Sequence, residues 1–326
     1  MQVVKKLFPA VLAAAAFAVA SSPAVAADFP AKDIRFIVPW NAGGSNDIAA
    51  RTMASILAEQ GVRVIVENVA GATGSIGMQK VASAEPDGYT VGMGTSSTLA
   101  LIAQGLTPLK SEHFTPIARV TTDPLVLLVP AGSPHGTLDA FIAHTKKNSG
   151  KVSIGTPGSN NLNHIFAVMT GRVAGAEIIA VPYTGGSKVL TDVAGKQIDA
   201  AVLKPGESKP AIDGNLVKPI GVFAETRLQV MPDVPTFKEK GLNVFPHGPL
   251  VQMAYIVAPA NLPPAVAEKL TALFRGAIQS AKFKAVAEQG GALVDDLTGA
   301  ALGREIAAVE KSLGTAGKQI FVAEKK

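Results

Sequence analysis

The sequence predicts an α/β protein built as two lobes, each a mostly parallel sheet flanked by helices. Three observations carry this. Short β-branched runs alternate with helical stretches at the spacing of strand-helix-strand units, the alternation restarts at residue 125, and the chain beyond residue 252 is mostly helical. A tail of helices without strands of its own has to cover a sheet made elsewhere, most simply the first. The chain is therefore expected to leave lobe 1, build lobe 2 and return, with lobe 1 over 27–127 and 253–326 and lobe 2 over 128–252.

In lobe 1 the first strand is the apolar run 34–38. Residues 47–60 place Ala49, Met53, Ile56 and Leu57 on one helical face, and Gly61 can end that helix. A strand over 62–66 follows, then "NVAGATGS" (68–75), a helix to residue 84 and the turn Pro86-Asp87-Gly88. Residues 90–94 are a third strand, leaving through "TSST" (95–98). In lobe 2 the expected elements are a strand over 125–129, a helix over 137–148 with Thr137 in the N-cap position, and a strand over 152–155. That strand leaves into "TPGSNNLNH" (156–164). A strand over 177–181 leads into "PYTGGS" (182–187), a helix to residue 194 and a strand over 198–203. The tail opens with a helix over 264–280, its start marked by Pro263 and Pro264, and holds two more.

A leader precedes all of this. Lys5 and Lys6 form its charged end, residues 7–20 an apolar run too short to span a bilayer comfortably, and Ala24-Val25-Ala26 a small-residue cleavage site. Export with cleavage after Ala26 is expected. The chain has no cysteine, which rules out a lipid anchor on an N-terminal Cys and any disulfide. Net charge is +5 and falls to +3 once Lys5 and Lys6 leave; with scattered basic residues and 5% aromatics, nucleic acid is not an expected partner.

The polar junctions carry the functional signal. Segments 40–47, 68–75, 95–98, 156–164 and 182–187 all fall at strand ends, where open parallel sheets bind ligands. "WNAGGSND" (40–47) holds two glycines and no Lys or Arg, so it suits an anion through backbone N–H groups and a helix N-terminus. Asp47, in the first helical turn, reads as a loop-organising cap and not as a general base. Motifs for other chemistry are missing. Gly71 to Gly77 has G-x-x-G-x-x-G spacing, which is not the dinucleotide pattern; there is no Walker lysine and no G-x-S-x-G; and the histidines at 113, 135, 144, 164 and 247 are too scattered for a helical zinc pair. Neither cofactor nor metal is expected.

The segments "FPAKDIRFIVPWNAGGSNDIAAR", "VENVAGATGSIG", "AEPDGYTVGMGT", "KVSIGTPGSNNLNH", "VPYTGGSKVLTDV" and "PDVPTFKEKGL" resemble, in order and spacing, the Bug (TctC-like) family of periplasmic solute-binding proteins that serve tripartite tricarboxylate transporters. The resemblance implies a type II, Venus-flytrap fold closing on a small carboxylate, a monomer in the periplasm, and integral membrane transporter subunits as partners. It implies that Gly43, Gly44, Ser45 and Asp47, with Gly71, Ala72, Thr73 and Gly74, form the two loops that grip a carboxylate. Trp40, Ala42, Thr95 and Ser96 join them from lobe 1, and Thr156, Asn160, Asn161, His164, Tyr183 and Lys204 are the expected contacts from lobe 2. Several of these depart from the family. Asn160-Asn161 replaces a common Gly-Thr, Lys204 stands where an aspartate is frequent, and "VQMAYIVAP" (251–259) lacks the usual tryptophan and glycine. Lys204 facing the cleft would imply a second negative group on the ligand; His164 would either bond a carboxylate or cap the helix near Leu162. Two other roles stay open: a sensory partner of a membrane kinase on the same fold, and an exported hydrolase using His164 with a junction Ser or Thr.

Overall fold

The computed structural model describes residues 29–246, 248, 250 and 252–321. The expected leader and its cleavage site lie outside the described residues. Two five-stranded sheets form. The first contains β1 (Ile34–Val38), β2 (Val64–Asn68), β3 (Thr90–Thr95), β4 (Phe114–Thr122) and β10 (Met253–Pro259) in the order β2-β1-β3-β10-β4. The second contains β5 (Leu125–Pro130), β6 (Ser153–Thr156), β7 (Ile179–Pro182), β8 (Ala200–Leu203) and β9 (Val217–Phe223) in the order β7-β6-β8-β5-β9. All of β5 belongs to the second sheet, so that sheet begins ahead of residue 128, and the outward crossing is the pair Asp123-Pro124.

Both sheets follow one plan. β1 pairs parallel with β2 and β3, and β6 pairs parallel with β7 and β8. The exceptions are β10, antiparallel to β3 and β4, and β5, antiparallel to β8 and β9. These are the strands by which the chain enters each sheet from the other. The carboxyl ends of the parallel strands face the partner lobe, so a chain arriving from that lobe runs into the sheet in the opposite sense. The sheets are mixed for this reason.

Strand alternation divides the core. In β5 the side chains of Leu125, Leu127 and Val129 enter one cluster and those of Val126 and Leu128 another, the period of two that a doubly covered strand requires. Sheet one buries Phe36, Val91, Met93 and Ile256 under α1 (Ser45–Ala58), α8 (Pro264–Gln279) and α9 (Ala281–Gln289), with Met53, Leu270, Phe274 and Phe283 filling the space. On the opposite face lies α10 (Gly299–Phe321), against α3 (Ser96–Ala103), β4 and, from lobe 2, α5 (Leu162–Val173). Ile37, Tyr255, Leu313, Phe166 and Phe223 thus belong to one apolar cluster running through both lobes. The helices of the tail cover the first sheet as expected, but the tail is not free of strands: it opens with β10, which inserts between β3 and β4. Helix α10 also reaches the second lobe: Arg172 donates to the carbonyls of Gln319 and Ile320 at 3.2 and 3.3 Å. Among the described residues no helix is long and apolar enough to cross a membrane.

Candidate interlobe binding site

Loop one is held by Asp47. Its carboxylate, buried at 3% exposure, accepts the Gly43 N–H at 2.9 Å, both Arg51 Nε contacts at 2.9 and 3.0 Å, and Asn68 Nδ2 at 2.9 Å. Asn68 Nδ2 also reaches the Trp40 carbonyl at 3.1 Å. Burial alone would raise the Asp47 pKa, but the bonds from Arg51, Gly43 and Asn68 outweigh it and hold the carboxyl below its ordinary value. Asp47 is spent on the loop's shape, which fits its reading as a cap. The result is a helix α1 whose N-cap, Gly44, provides no side-chain bond. Its first N–H groups, beginning at Ser45, are left facing the space between the lobes.

Lobe 2 repeats the device. Helix α6 (Gly186–Ala194) has Gly185 as N-cap, again without a side-chain bond. The two glycine-capped helix ends meet across a narrow cleft, which Trp40, Asn41, Asn46, Thr95, Ser97, Asn163, Lys204, Glu207 and Gln252 also line. The lobes touch around it. Gln104 Nε2 donates to the Asn160 carbonyl at 2.7 Å, Thr73 Oγ1 to the Ser159 carbonyl at 3.4 Å, and Ser97 Oγ to Asn163 Oδ1 at 3.5 Å.

Lys204 reaches back across the crossing point. Its Nζ lies 2.7 Å from Asp123 Oδ2 and 3.5 Å from Asn46 Oδ1, and both ionic side chains are 7% exposed. Thr121 Oγ1 donates to the same Asp123 oxygen at 2.9 Å. The ammonium expected to meet a second anionic group on the ligand is thus already neutralised. Glu207, three positions further on in the first turn of α7 (Pro205–Asp213), accepts the Lys204 N–H through Oε1 at 3.0 Å. Its Oε2 lies over Gly186, so close that a Cβ there would stand 2.1 Å away. Burial pushes the Glu207 carboxyl up, the Lys204 N–H and charge pull it down, and Asp123 adds to the rise. Gln252, 6% exposed, presents Oε1 without a partner, and the Trp40 indole N–H is likewise buried and unpartnered.

The expected contacts divide into three groups. Trp40, Gly44, Ser45, Thr95 and Lys204 line the cleft. Gly71, Ala72, Thr73 and Tyr183 line an adjoining open cavity of which Trp40 is also a wall. The two lobe 1 loops expected to grip one carboxylate therefore face different spaces, with the indole between them. Gly71 to Gly74 all have positive φ, at 132, 45, 53 and 88°, a strained turn for Ala72 and Thr73 that a single rigid loop must sustain.

The remaining residues shape the loops. Ala42 and Gly43 are exposed at the rim. Ser96 is fully buried and its Oγ accepts the Met253 N–H at 3.0 Å, because "TSST" starts helix α3 and so turns Ser97, not Ser96, toward the cleft. Thr156 Oγ1 donates to the Gly158 carbonyl at 2.7 Å, and Asn161 Oδ1 caps α5 at the His164 N–H at 2.9 Å. Tyr183 donates its hydroxyl to Asp192 at 2.9 Å.

His164 does not line the cleft. Its Nδ1 accepts the Asn160 N–H at 3.0 Å, and its ring packs on Phe321 with centroids 4.7 Å apart, which leaves it as neither ligand contact nor catalytic base. Burial lowers its pKa to about 4. A folded pKa below the unfolded value of about 6.5 means the unfolded chain takes up a proton first, so the stability tied to neutral His164 is complete above about pH 6.5 and is lost as pH falls toward 4. Melting curves of the wild type and of His164→Gln should converge over that window; parallel curves would place the titration elsewhere.

Sequence signals for some of the missed residues exist. Glu207 stands three positions after the loop residue Lys204, the spacing by which a side chain returns to cap a helix start. Asn163 and Gln252 follow no local pattern.

Comparisons with known proteins agree with this geometry. The sequence model of the tripartite tricarboxylate transporter family receptor, TctC, matches residues 48–299. A UPF0065 protein of Bordetella pertussis is 34% identical over 275 residues, spanning 83% of this chain and 84% of that one. The periplasmic binding protein BugD superposes with a TM-score of 0.82 at 25% identity, covering 90% of this chain and 99% of its own. MatC from Rhodopseudomonas palustris with bound malate gives 0.82 at 25% identity, covering 89% and 100%. With the family match spanning most of the chain and two mixed sheets closing over a polar cleft, the chain belongs to the tripartite tricarboxylate transporter receptor (TctC) family.

Proposed function

We propose that this protein captures a small carboxylate between its lobes in the periplasm and delivers it to an integral membrane transporter of the tripartite tricarboxylate type. The observation that carries the reading is the convergence of α1 and α6, two helix N-termini without side-chain caps, on one cleft. Unpaired N–H groups and the helix dipole stabilise an anion there without a free cationic side chain. The malate bound by MatC, a relative of the same architecture, fits that chemistry. Gly44, Ser45, Thr95 and Trp40 are proposed as ligand contacts from lobe 1, and the loop Gly185-Gly186-Ser187 from lobe 2. Asp47 acts by shaping the first of these loops, and Thr156, Asn160 and Asn161 by shaping the neighbouring loop over 156–164.

Thermal unfolding of the mature protein, refolded to strip carried-over ligand, tests this against matched carboxylates and their neutral amides. A ligand at a hundredfold its Kd adds about 2.7 kcal/mol and so shifts the midpoint by several degrees. The expected result is a shift with a carboxylate and none with its amide. Equal shifts for acid and amide would remove the anion from the argument.

A further inference from the structure

The charges of the cleft do not match a plain anion site. Lys204 and Glu207 are the charged side chains among its described lining residues, and Lys204 is neutralised by Asp123 at 2.7 Å. That leaves a carboxylate, Glu207, in a cleft whose helix ends select an anion. Its Oε1 is used by the Lys204 N–H, while Oε2 lies over the glycine that opens α6. A carboxylate oxygen beside Gly186 competes with an incoming carboxylate at the α6 end without capping it, which favours seating the ligand's carboxylate at the α1 end, at Gly44 and Ser45. Gln252 adds a second acceptor to the same cleft, its Oε1 buried and without a partner. A buried acceptor left unpaired costs more than the bond it would make, and a ligand that supplies a donor relieves that cost.

We infer that the ligand carries, beside its carboxylate, a hydrogen-bond donor that Glu207 and Gln252 receive: an ammonium or hydroxyl group on a short carbon chain. The inference rests on the carboxylate-binding reading above and narrows it. The anion sits at α1 in lobe 1, the donor points to lobe 2, and the two ends together make closure specific. Glu207 is in this sense a specificity-determining residue, and a ligand without the donor leaves Oε2 without a hydrogen-bond partner in the cleft.

The test is calorimetric titration of the refolded mature protein with succinate, malate and aspartate, and with propionate, lactate and alanine, on wild type and Glu207→Gln. The glutamine keeps an oxygen for the Lys204 N–H and removes the charge. In the wild type the hydroxy or amino acid of a series should bind at least about tenfold more tightly than the unsubstituted acid, the size of one charge-assisted hydrogen bond. Glu207→Gln should erase most of that preference. Melting of the ligand-free variant within a few degrees of wild type shows that the α7 cap survives. Equal wild-type affinity for substituted and unsubstituted acids overturns the inference and leaves carboxylate capture standing. A uniform loss across all six in Glu207→Gln also overturns it, making Glu207 a purely structural cap. Binding by none of the six, or by an amide as tightly as its acid, overturns the carboxylate reading itself.

Discussion

Lys204→Ala is expected to lower the melting midpoint by several degrees and to weaken every ligand by a similar factor, on the order of tenfold, rather than to single out dicarboxylates. The pair of Lys204 and Asp123 is buried from both sides, at 7% exposure each, and spans the outward crossing between the sheets. Removing the lysine leaves Asp123 buried with the Thr121 hydroxyl as its remaining short contact, and an uncompensated buried charge costs about 3–5 kcal/mol. β5 pairs with β8 up to Leu203, so Asp123 and Lys204 meet beside lobe 2's own sheet and most of that cost is read as a lowered melting midpoint; the share tied to closure, through the 3.5 Å contact of the ammonium with Asn46 of lobe 1, is read as lost affinity at about 1.4 kcal/mol per tenfold. The Lys204 side chain also forms part of the wall between the cleft and a groove on the hinge side lined by Phe283, Val286 and Pro210, and its loss opens one to the other. Titration with matched mono- and dicarboxylates decides the matter. A selective loss for dicarboxylates would mean that the ammonium turns to the ligand, and an unchanged affinity that the pair does not hold the lobes together. Combining Lys204→Met with Asp123→Asn is expected to recover much of the loss, since a neutral pair leaves no unpaired charge.

Asp47→Ala is expected to abolish measurable binding and to lower the melting midpoint by several degrees. Its carboxylate is the common acceptor for Gly43, Arg51 and Asn68, and without it those donors are left to a loop whose shape they no longer determine. Donors stranded in a part-buried site cost about 1–3 kcal/mol each when no water reaches them. The sign of the pH dependence follows from the lowered pKa: a depressed folded value contributes stability that is present above the unfolded value of about 3.9 and is lost as pH falls through the folded one. The stability difference between wild type and Asp47→Asn should therefore be constant from neutral pH to about 5 and shrink below about 4. Native affinity in Asp47→Ala would show that the loop keeps its shape by other means.

Much of this architecture was legible because it is local. β1 spans the residues its apolar run marks, Thr137 caps α4 (Leu138–Lys147) through its side chain, and Asp47 organises the first loop, each settled by contacts within a few residues. What was hidden depends on distant partners. β10 is buried at all seven positions, yet pairs with β3 and β4, more than a hundred residues earlier, and nothing near it in sequence announces that. β4 contains Pro116 and Arg119, which disguise a strand; Arg119 finds Asp295 and Glu305 only after the tail returns. "TSST" reads as a loop by composition, but Thr95 accepts the Thr98 N–H and makes it a helix start. The same division explains the cleft. The glycine junctions were visible, whereas the pairing of Lys204 with Asp123, and hence the importance of Glu207, exists only once β5 has paired with β8 and brought together residues 81 positions apart in sequence.

Trp40 is the single tryptophan of the chain, and its ring borders both the cleft and the neighbouring cavity. Light absorbed at the red edge, where the three tyrosines do not contribute, is therefore emitted from one place, the binding wall. The indole N–H is buried and unpaired, so its excited state is sensitive to any polar group that arrives. The protein contains its own optical probe of occupancy, and filling, emptying and their rates can be followed in stopped flow without attaching a dye.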